Sequence, residues 1–229
     1  MISEAGLSMT ESAPVLELKH LSMRFGDKVL FRDLTLRVGE GEKIAVTGES
    51  GCGKSTLLNL IIGFRRPDSG MVVVDGREMA GDAVWALRGR IGYVPQDPDL
   101  GGGLVREILE RPFAYRVNRE LAFDPGRVEE LFHEFRLETG LMDQPVARLS
   151  GGEKQRVALI SSLLLKRKLY LLDEVTSSLD DMSRNAVFSY CRRRPDMTVI
   201  AVTHDRGLIT HCQRFFRLAE GELEEMEDA

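Results

Sequence analysis

Three short runs, Lys43–Thr47, Leu169–Leu172 and Thr198–Val202, are apolar almost without interruption, and stretches of helical character lie between them. A strand that is apolar at nearly every position has no wet face, so it belongs inside a sheet covered on both sides. With helices as the intervening connections, the fold class is α/β with a parallel core sheet. The N-terminal strands read differently. Leu16, Leu18, Leu21, Met23 and Phe25 sit among polar neighbours, Gly26-Asp27 supplies a turn, and Val29–Val38 alternates again through Leu34, Leu36 and Val38. That is the pattern of antiparallel strands with one wet face.

Leu57, Leu58, Leu60, Ile61 and Ile62 predict a helix apolar on most sides, packed under a sheet. Further on, Val128, Leu131, Phe132, Phe135 and Leu137 recur at helical spacing, while Arg127, Glu129, Glu130 and Glu134 face water. The expected organisation is a disordered leader over 1–14 and one folded domain over 15–225. Within that domain, 15–96 and 149–225 form the α/β core and 97–148 is an inserted helical lobe. Phe215–Leu218 reads as a last strand, followed by an acidic tail.

Composition narrows the function classes. The 229 residues, 43% hydrophobic, suffice for a packed core. A net charge of −5 argues against coating nucleic acid by bulk charge. Cys52, Cys191 and Cys212 show no metal-ligand spacing and read as thiols in a reducing compartment. No run of 18 uncharged apolar residues occurs, and Glu4 and Glu11 are foreign to a secretory signal, so a soluble intracellular protein is expected. Arg65-Arg66, Lys166-Arg167-Lys168 and Arg192-Arg193-Arg194 read as solvated faces or helix C-termini, and Trp85 as packing.

The chemistry concentrates at the ends of the apolar runs. Gly48-Glu49-Ser50-Gly51-Cys52-Gly53-Lys54-Ser55-Thr56 follows one buried strand and opens an apolar helix. Glycines there let successive backbone N–H groups converge on a polyphosphate, and the helix start adds partial positive charge. Lys54 brings a mobile cation to the β and γ phosphates, and the Ser55 hydroxyl suits Mg²⁺. Cys52 reads as a small filler within the loop. The run 169–172 ends in Asp173-Glu174: Asp173 is the expected Mg²⁺ partner of Ser55, and Glu174 the base that polarises an attacking water. His204 ends another run and is expected to touch the γ-phosphate, unlike His20, His133 and His211. Gln96, after the strand Arg90–Val94, is expected to hold water or the Mg²⁺ shell.

A second helix start, Ser150-Gly151-Gly152-Glu153, has the spacing of a capping box. Two glycines in a first helical turn cost roughly 1 kcal/mol each relative to alanine, which is reasonable if a ligand approaches the backbone. One lysine loop and one such half-site per chain imply that two chains complete the pocket between them.

In this order the motifs resemble an ATP-binding-cassette ATPase, from about Val15 to Leu223. The resemblance implies that Phe25 stacks on adenine, that Leu149–Gln155 is the signature with Glu153 where Gln is often found, and that Ser177–Asp180 is the D-loop, with Asp180 at the nucleotide interface. It further implies ATP and Mg²⁺ as cofactors and a head-to-tail homodimer. A separate transmembrane subunit, held through the helical lobe, would keep the chain at the cytoplasmic face of the membrane. Arg111-Pro112-Phe113, the region around Asn118-Arg119 and Asp173–Asp180 are similar to bacterial subunits of the iron-export type, and Val175 replaces the proline common after the glutamate. The alternative is a soluble ATPase of the same family that serves as an assembly factor, for example for iron–sulfur centres.

Overall fold

The computed structural model describes residues 13–227. Residues 1–12 of the expected leader lie outside them. Strands β1 (Leu16–Phe25) and β2 (Lys28–Val38) pair antiparallel across the Gly26-Asp27 turn. Strand β3 (Lys43–Thr47) runs into helix α1 (Lys54–Ile61). Next come β4 (Ser69–Val74), β5 (Arg77–Glu78), helix α2 (Ala83–Arg88) and β6 (Ile91–Val94). Helices α3 (Val105–Glu110) and α4 (Pro125–Glu134) follow, then the long α5 (Gly151–Leu164) and β7 (Leu169–Asp173). The chain ends with α6 (Asp181–Arg192), β8 (Thr198–Val202), α7 (Arg206–Ile209) and the hairpin of β9 (Arg214–Ala219) and β10 (Glu222–Met226).

Two sheets result. One is antiparallel with order β2-β1-β4-β5; the other has order β10-β9-β3-β8-β7-β6, all parallel except β10. The apolar runs are indeed its buried inner strands. Alternate side chains feed two cores. Leu169, Leu171, Ile200 and Val202 join α1 and the antiparallel sheet, while Tyr170, Leu172, Val199 and Ala201 join α5, α6 and the lobe. Helix α1 thus lies between two apolar layers, which is why its leucines occupy most of its circumference.

The structure departs from the sequence pattern in four places. Strand β4, which completes the antiparallel sheet against β1, was not expected, nor was β5. The acidic tail is instead β10: Leu223 packs inward, the acids face water, and Arg214 holds Glu225 at 2.6 and 2.8 Å. Within 97–148 only α3 and α4 are α-helical, and the rest is loop and short 3₁₀ turns. Pro112 and Pro145 lie among those turns, and each removes a backbone donor. Trp85 is not packed: it is 75% exposed, with the Arg88 guanidinium 5.1 Å from its ring.

Candidate nucleotide site

The loop after β3 is built around what a side chain would obstruct. A Cβ on Gly48 (φ +154°) would fall 2.4 Å from the Leu218 carbonyl oxygen and 2.8 Å from Cys52 Sγ, so only glycine lets the loop pass the end of β9. Helix α1 then starts at Gly53 with no side chain capping it, leaving its first N–H groups facing the loop. Lys54 is buried and folds back, its Nζ donating to the carbonyls of Gly48 (2.6 Å) and Glu49 (3.0 Å). Lys28, beyond the first hairpin turn, donates to the Gly51 carbonyl at 2.9 Å. That contact brings the turn bearing Phe25 close to the loop, with the Phe25 ring 63% exposed and Arg65 5.7 Å from its centre.

Opposite the loop stand the two acids that end β7. Asp173 is 4% exposed, and its Oδ1 has no hydrogen-bond partner. Burial raises its pKa above the ordinary carboxyl value; a Ser55 hydrogen bond and the Lys54 charge oppose this, and the Glu174 charge adds to it. Glu174 is held at φ +46°, a left-handed conformation costly for a residue with a side chain, while its N–H donates to the Val202 carbonyl at 2.9 Å. In this pose its carboxylate meets two other predicted residues. Gln96 Nε2 donates to Glu174 Oε2 at 3.3 Å, and His204 Nε2 lies 3.8 Å from Oε1. The other His204 nitrogen, Nδ1, is 3.3 Å from Thr47 Oγ1.

A cleft of about 250 Å³ gathers Ser50, Gly51, Gly53, Lys54, Ser55 and Thr56 with Gln96, Glu174 and His204. Gly48, Glu49 and Cys52 line the neighbouring cavity of about 860 Å³, which His204 also borders. Ser150, Gly151, Gly152 and Asp180 line neither. Ser150 and Glu153 form a complete capping box. The Ser150 N–H and hydroxyl donate to Glu153 Oε2 at 2.8 and 2.7 Å, and the Glu153 N–H returns to Ser150 Oγ at 3.3 Å. The two glycines differ in their reasons. A Cβ on Gly151 would meet open space, as a ligand-facing residue should. One on Gly152 would meet the Ser178 carbonyl at 3.0 Å, so packing against 177–180 accounts for it. Asp180 caps α6, accepting from Ser183 N at 3.0 Å and Ser183 Oγ at 2.8 Å; these bonds hold its carboxyl below the usual range.

Several connecting roles are absent from the sequence reading: those of Lys28 and Arg156, of Thr47 beyond its place in the run 43–47, and of Gln155 beyond its place in the signature 149–155. Gln155 is buried and donates to the Pro95 carbonyl at 3.0 Å, tying α5 to the segment that carries Gln96. Arg156 donates to the carbonyls of Phe135 (3.2 Å) and Arg136 (3.1 Å) and to Ser183 Oγ (3.0 Å), joining α5, the lobe and α6. Long polar residues at the head of an otherwise apolar helix were the signal for both.

At the carboxyl edge of a parallel sheet, an open helix start beside a lysine accepts a polyphosphate, and the strained acid facing it is placed to activate water. Fold and site together define a P-loop nucleotide-binding ATPase. More narrowly, the chain belongs to the ABC transporter family, whose profile matches residues 31–177. It is 33% identical to the "Probable iron export ATP-binding protein FetA" of Escherichia coli K12, over 95% of this chain and 97% of that protein. It is 35% identical to the energy-coupling factor transporter ATP-binding protein EcfA1 of Ligilactobacillus salivarius, over 95% and 78%. Among solved structures it resembles a dimeric post-hydrolysis state of the cassette MJ0796 bound to ADP and Pi, at TM-score 0.80 and 27% identity over 92% of this chain and 97% of that one. CbiO1 of Clostridium perfringens, part of a CbiONQ transporter complex, superposes at TM-score 0.77 with 25% identity, over 93% and 88%. The motif order and the α/β fold read from the sequence agree with these relatives: the chain is an ATP-binding, ATP-hydrolysing transporter subunit.

Proposed function

We propose that residues 15–225 form one ABC ATPase domain, with 97–148 as its helical subdomain, and that two copies close over two ATP molecules. Gly48–Thr56 of one copy grips each triphosphate, with Phe25 on the adenine, and Ser150–Gly152 of the other copy closes it. Asp180 lies along the seam between copies. The observation that carries this reading is the Glu174 carboxylate, held across the cleft between Gln96 and His204. Glu174 takes the proton of an attacking water; His204, steadied by Thr47, donates toward the γ-phosphate; Gln96 orients the water by its amide.

The donor set fits Mg²⁺, because Asp173 buries a carboxylate oxygen that has no partner, with Ser55 acting on the same carboxyl. Ser55, Asp173 and Gln96 would hold the ion, which when bound neutralises charge developing on the β and γ phosphates. No helix of the described residues is long and apolar enough to cross a membrane. The likeness to transporter ATP-binding proteins supports a separate membrane subunit that carries the cargo and holds this chain at the cytoplasmic face. Near-complete coverage of both chains supports iron export over the energy-coupling-factor role, where 78% of the relative is matched. The test is Glu174→Gln with saturating ATP on a sizing column. A stable dimer that binds ATP without turning it over is expected; a monomer under those conditions overturns the sandwich. Co-purification with a membrane protein is expected from cells, and a purely soluble complex would favour the assembly-factor alternative.

A further inference from the structure

The opposite edge of the parallel sheet, where β7 and β8 begin, holds a cavity of about 390 Å³. Its wall carries Arg127, Lys166, Arg167, Tyr170, Tyr190 and Arg194. In the sequence Lys166-Arg167 and Arg194 belong to two separate basic clusters; folding brings them with Arg127 around a single hollow. Two carboxylates line it as well, and both are engaged. Asp124 caps α4 by accepting the Arg127 N–H at 3.2 Å, and Asp196 grips Arg194 through bonds of 3.0 and 2.9 Å. Four cations face two carboxylates in the lining, and Arg127 also pairs with Glu130 at 2.5 Å just outside it; Lys166 and Arg167 are the cations with no carboxylate partner among the described residues.

The hydrogen bonds are unbalanced in the same sense. Tyr190, 7% exposed, accepts N–H groups from Arg127 and Arg194, each at 3.1 Å. Tyr170, 2% exposed, accepts the Arg167 backbone N–H at 2.9 Å. Both hydroxyls keep a proton to give, and no bond donated by either is present among the described residues. Arg167 donates Nη2 to the neutral Asn118 amide oxygen, while its Nε is buried without a partner. Burial lowers the Arg167 pKa. Buried donors without acceptors are costly, and a pocket lined with them is completed by an anion that accepts several at once.

We propose that this cavity binds a phosphate group, a dianion whose oxygens accept from the Arg167 guanidinium, the two tyrosine hydroxyls and the Lys166 ammonium. Its volume exceeds that of a bare phosphate and leaves room for the small molecule that carries the group. The site is separate from the nucleotide cleft, which sits at the other ends of β7 and β8.

Because the P-loop also takes phosphates, the test uses the full-length Lys54→Ala chain and calorimetry with inorganic phosphate, glycerol 3-phosphate and succinate. One phosphate per chain is expected, weakened about tenfold by adding Arg167→Gln, as for loss of one charged donor. Glycerol 3-phosphate binding more tightly than phosphate would identify a phosphoester as the ligand, and the reverse order the free ion. Lys166→Gln, on the exposed rim, is the second variant and is expected to weaken binding in the same direction without altering the fold. Absence of saturable binding at millimolar phosphate, binding indifferent to both substitutions, or equal affinity for succinate would each overturn the assignment.

Discussion

Helix α1 begins at Gly53 with nothing capping it, whereas α5 begins at Ser150 inside a closed capping box. Both starts carry the sequence marks of an anion site, yet they are built in opposite ways. Around α1 the chain keeps its polar groups unsatisfied or strained: open N–H groups, an orphan oxygen on Asp173, and Glu174 at positive φ. At the start of α5 the Ser150 and Glu153 side chains pair with each other, and the open space lies at Gly151. The α1 end is a site in waiting, costly until its ligand arrives. The α5 end is stable by itself and leaves open space at Gly151, which is what the half-site proposed above for a second copy requires.

The largest effects belong to the α1 end. Glu174→Gln keeps the shape and removes the base, so ATP turnover is expected to fall by roughly 10²–10⁴ while nucleotide binding survives. Turnover at the wild-type rate would move the base elsewhere. Lys54→Ala removes the cation without touching Glu174. It is expected to weaken ATP binding by roughly 10- to 100-fold, the worth of about 1.5–3 kcal/mol in charged hydrogen bonds. Titration with a fluorescent ATP analogue measures it, and unchanged affinity would dissolve the contrast between the two helix starts.

That contrast was only half visible in the sequence. The parallel strands were legible because strands buried on both faces must be apolar throughout, and the loop 48–56 because its glycines, lysine and serine have fixed spacing. Strand β4 was not, since Ser69, Gly70 and Met71 are exposed and only 72–74 are buried. Nor was β10, whose acids look like a tail until Arg214 and the β9 edge are placed beside them. The strain at Glu174 depends on the Val202 carbonyl, and the Gln155 link on Pro95, 60 residues away. Pairings of that range are settled by the register of strands, which no local pattern records.

Asp173 sharpens the comparison through stability. A carboxyl whose pKa is raised by burial holds its proton more tightly folded than unfolded. Its ionisation therefore subtracts from stability as pH climbs through that window, and the loss persists at neutral pH. Asp173→Asn is thus expected to raise Tm at pH 7 by roughly 2–4 °C, the shift made by about 1 kcal/mol in a domain of this size, while abolishing Mg²⁺-dependent hydrolysis. Thermal scans of the nucleotide-free protein decide it; a lower Tm would mean that the carboxylate stabilises the empty fold.

Glu153 supplies the opposite sign and the smallest effect. Bonds from Ser150 pull its carboxyl below the ordinary 4.5, so here the folded state favours the charged form. Its contribution is present at neutral pH and is lost as pH falls through the depressed folded value. Glu153→Gln keeps an oxygen for the Ser150 N–H but removes the charge beside the helix start. It is therefore expected to cost about 0.5 kcal/mol at pH 7 and low salt. Because every other acid titrates equally in both proteins, the Tm difference between them isolates this residue. It should narrow below the ordinary glutamate value and close as the pH falls through the depressed folded value, where wild-type Glu153 is protonated as well. A gap that stayed constant down to pH 3 would show that the α5 cap draws nothing from its charge, and would leave α1 alone as the electrostatically tuned helix start.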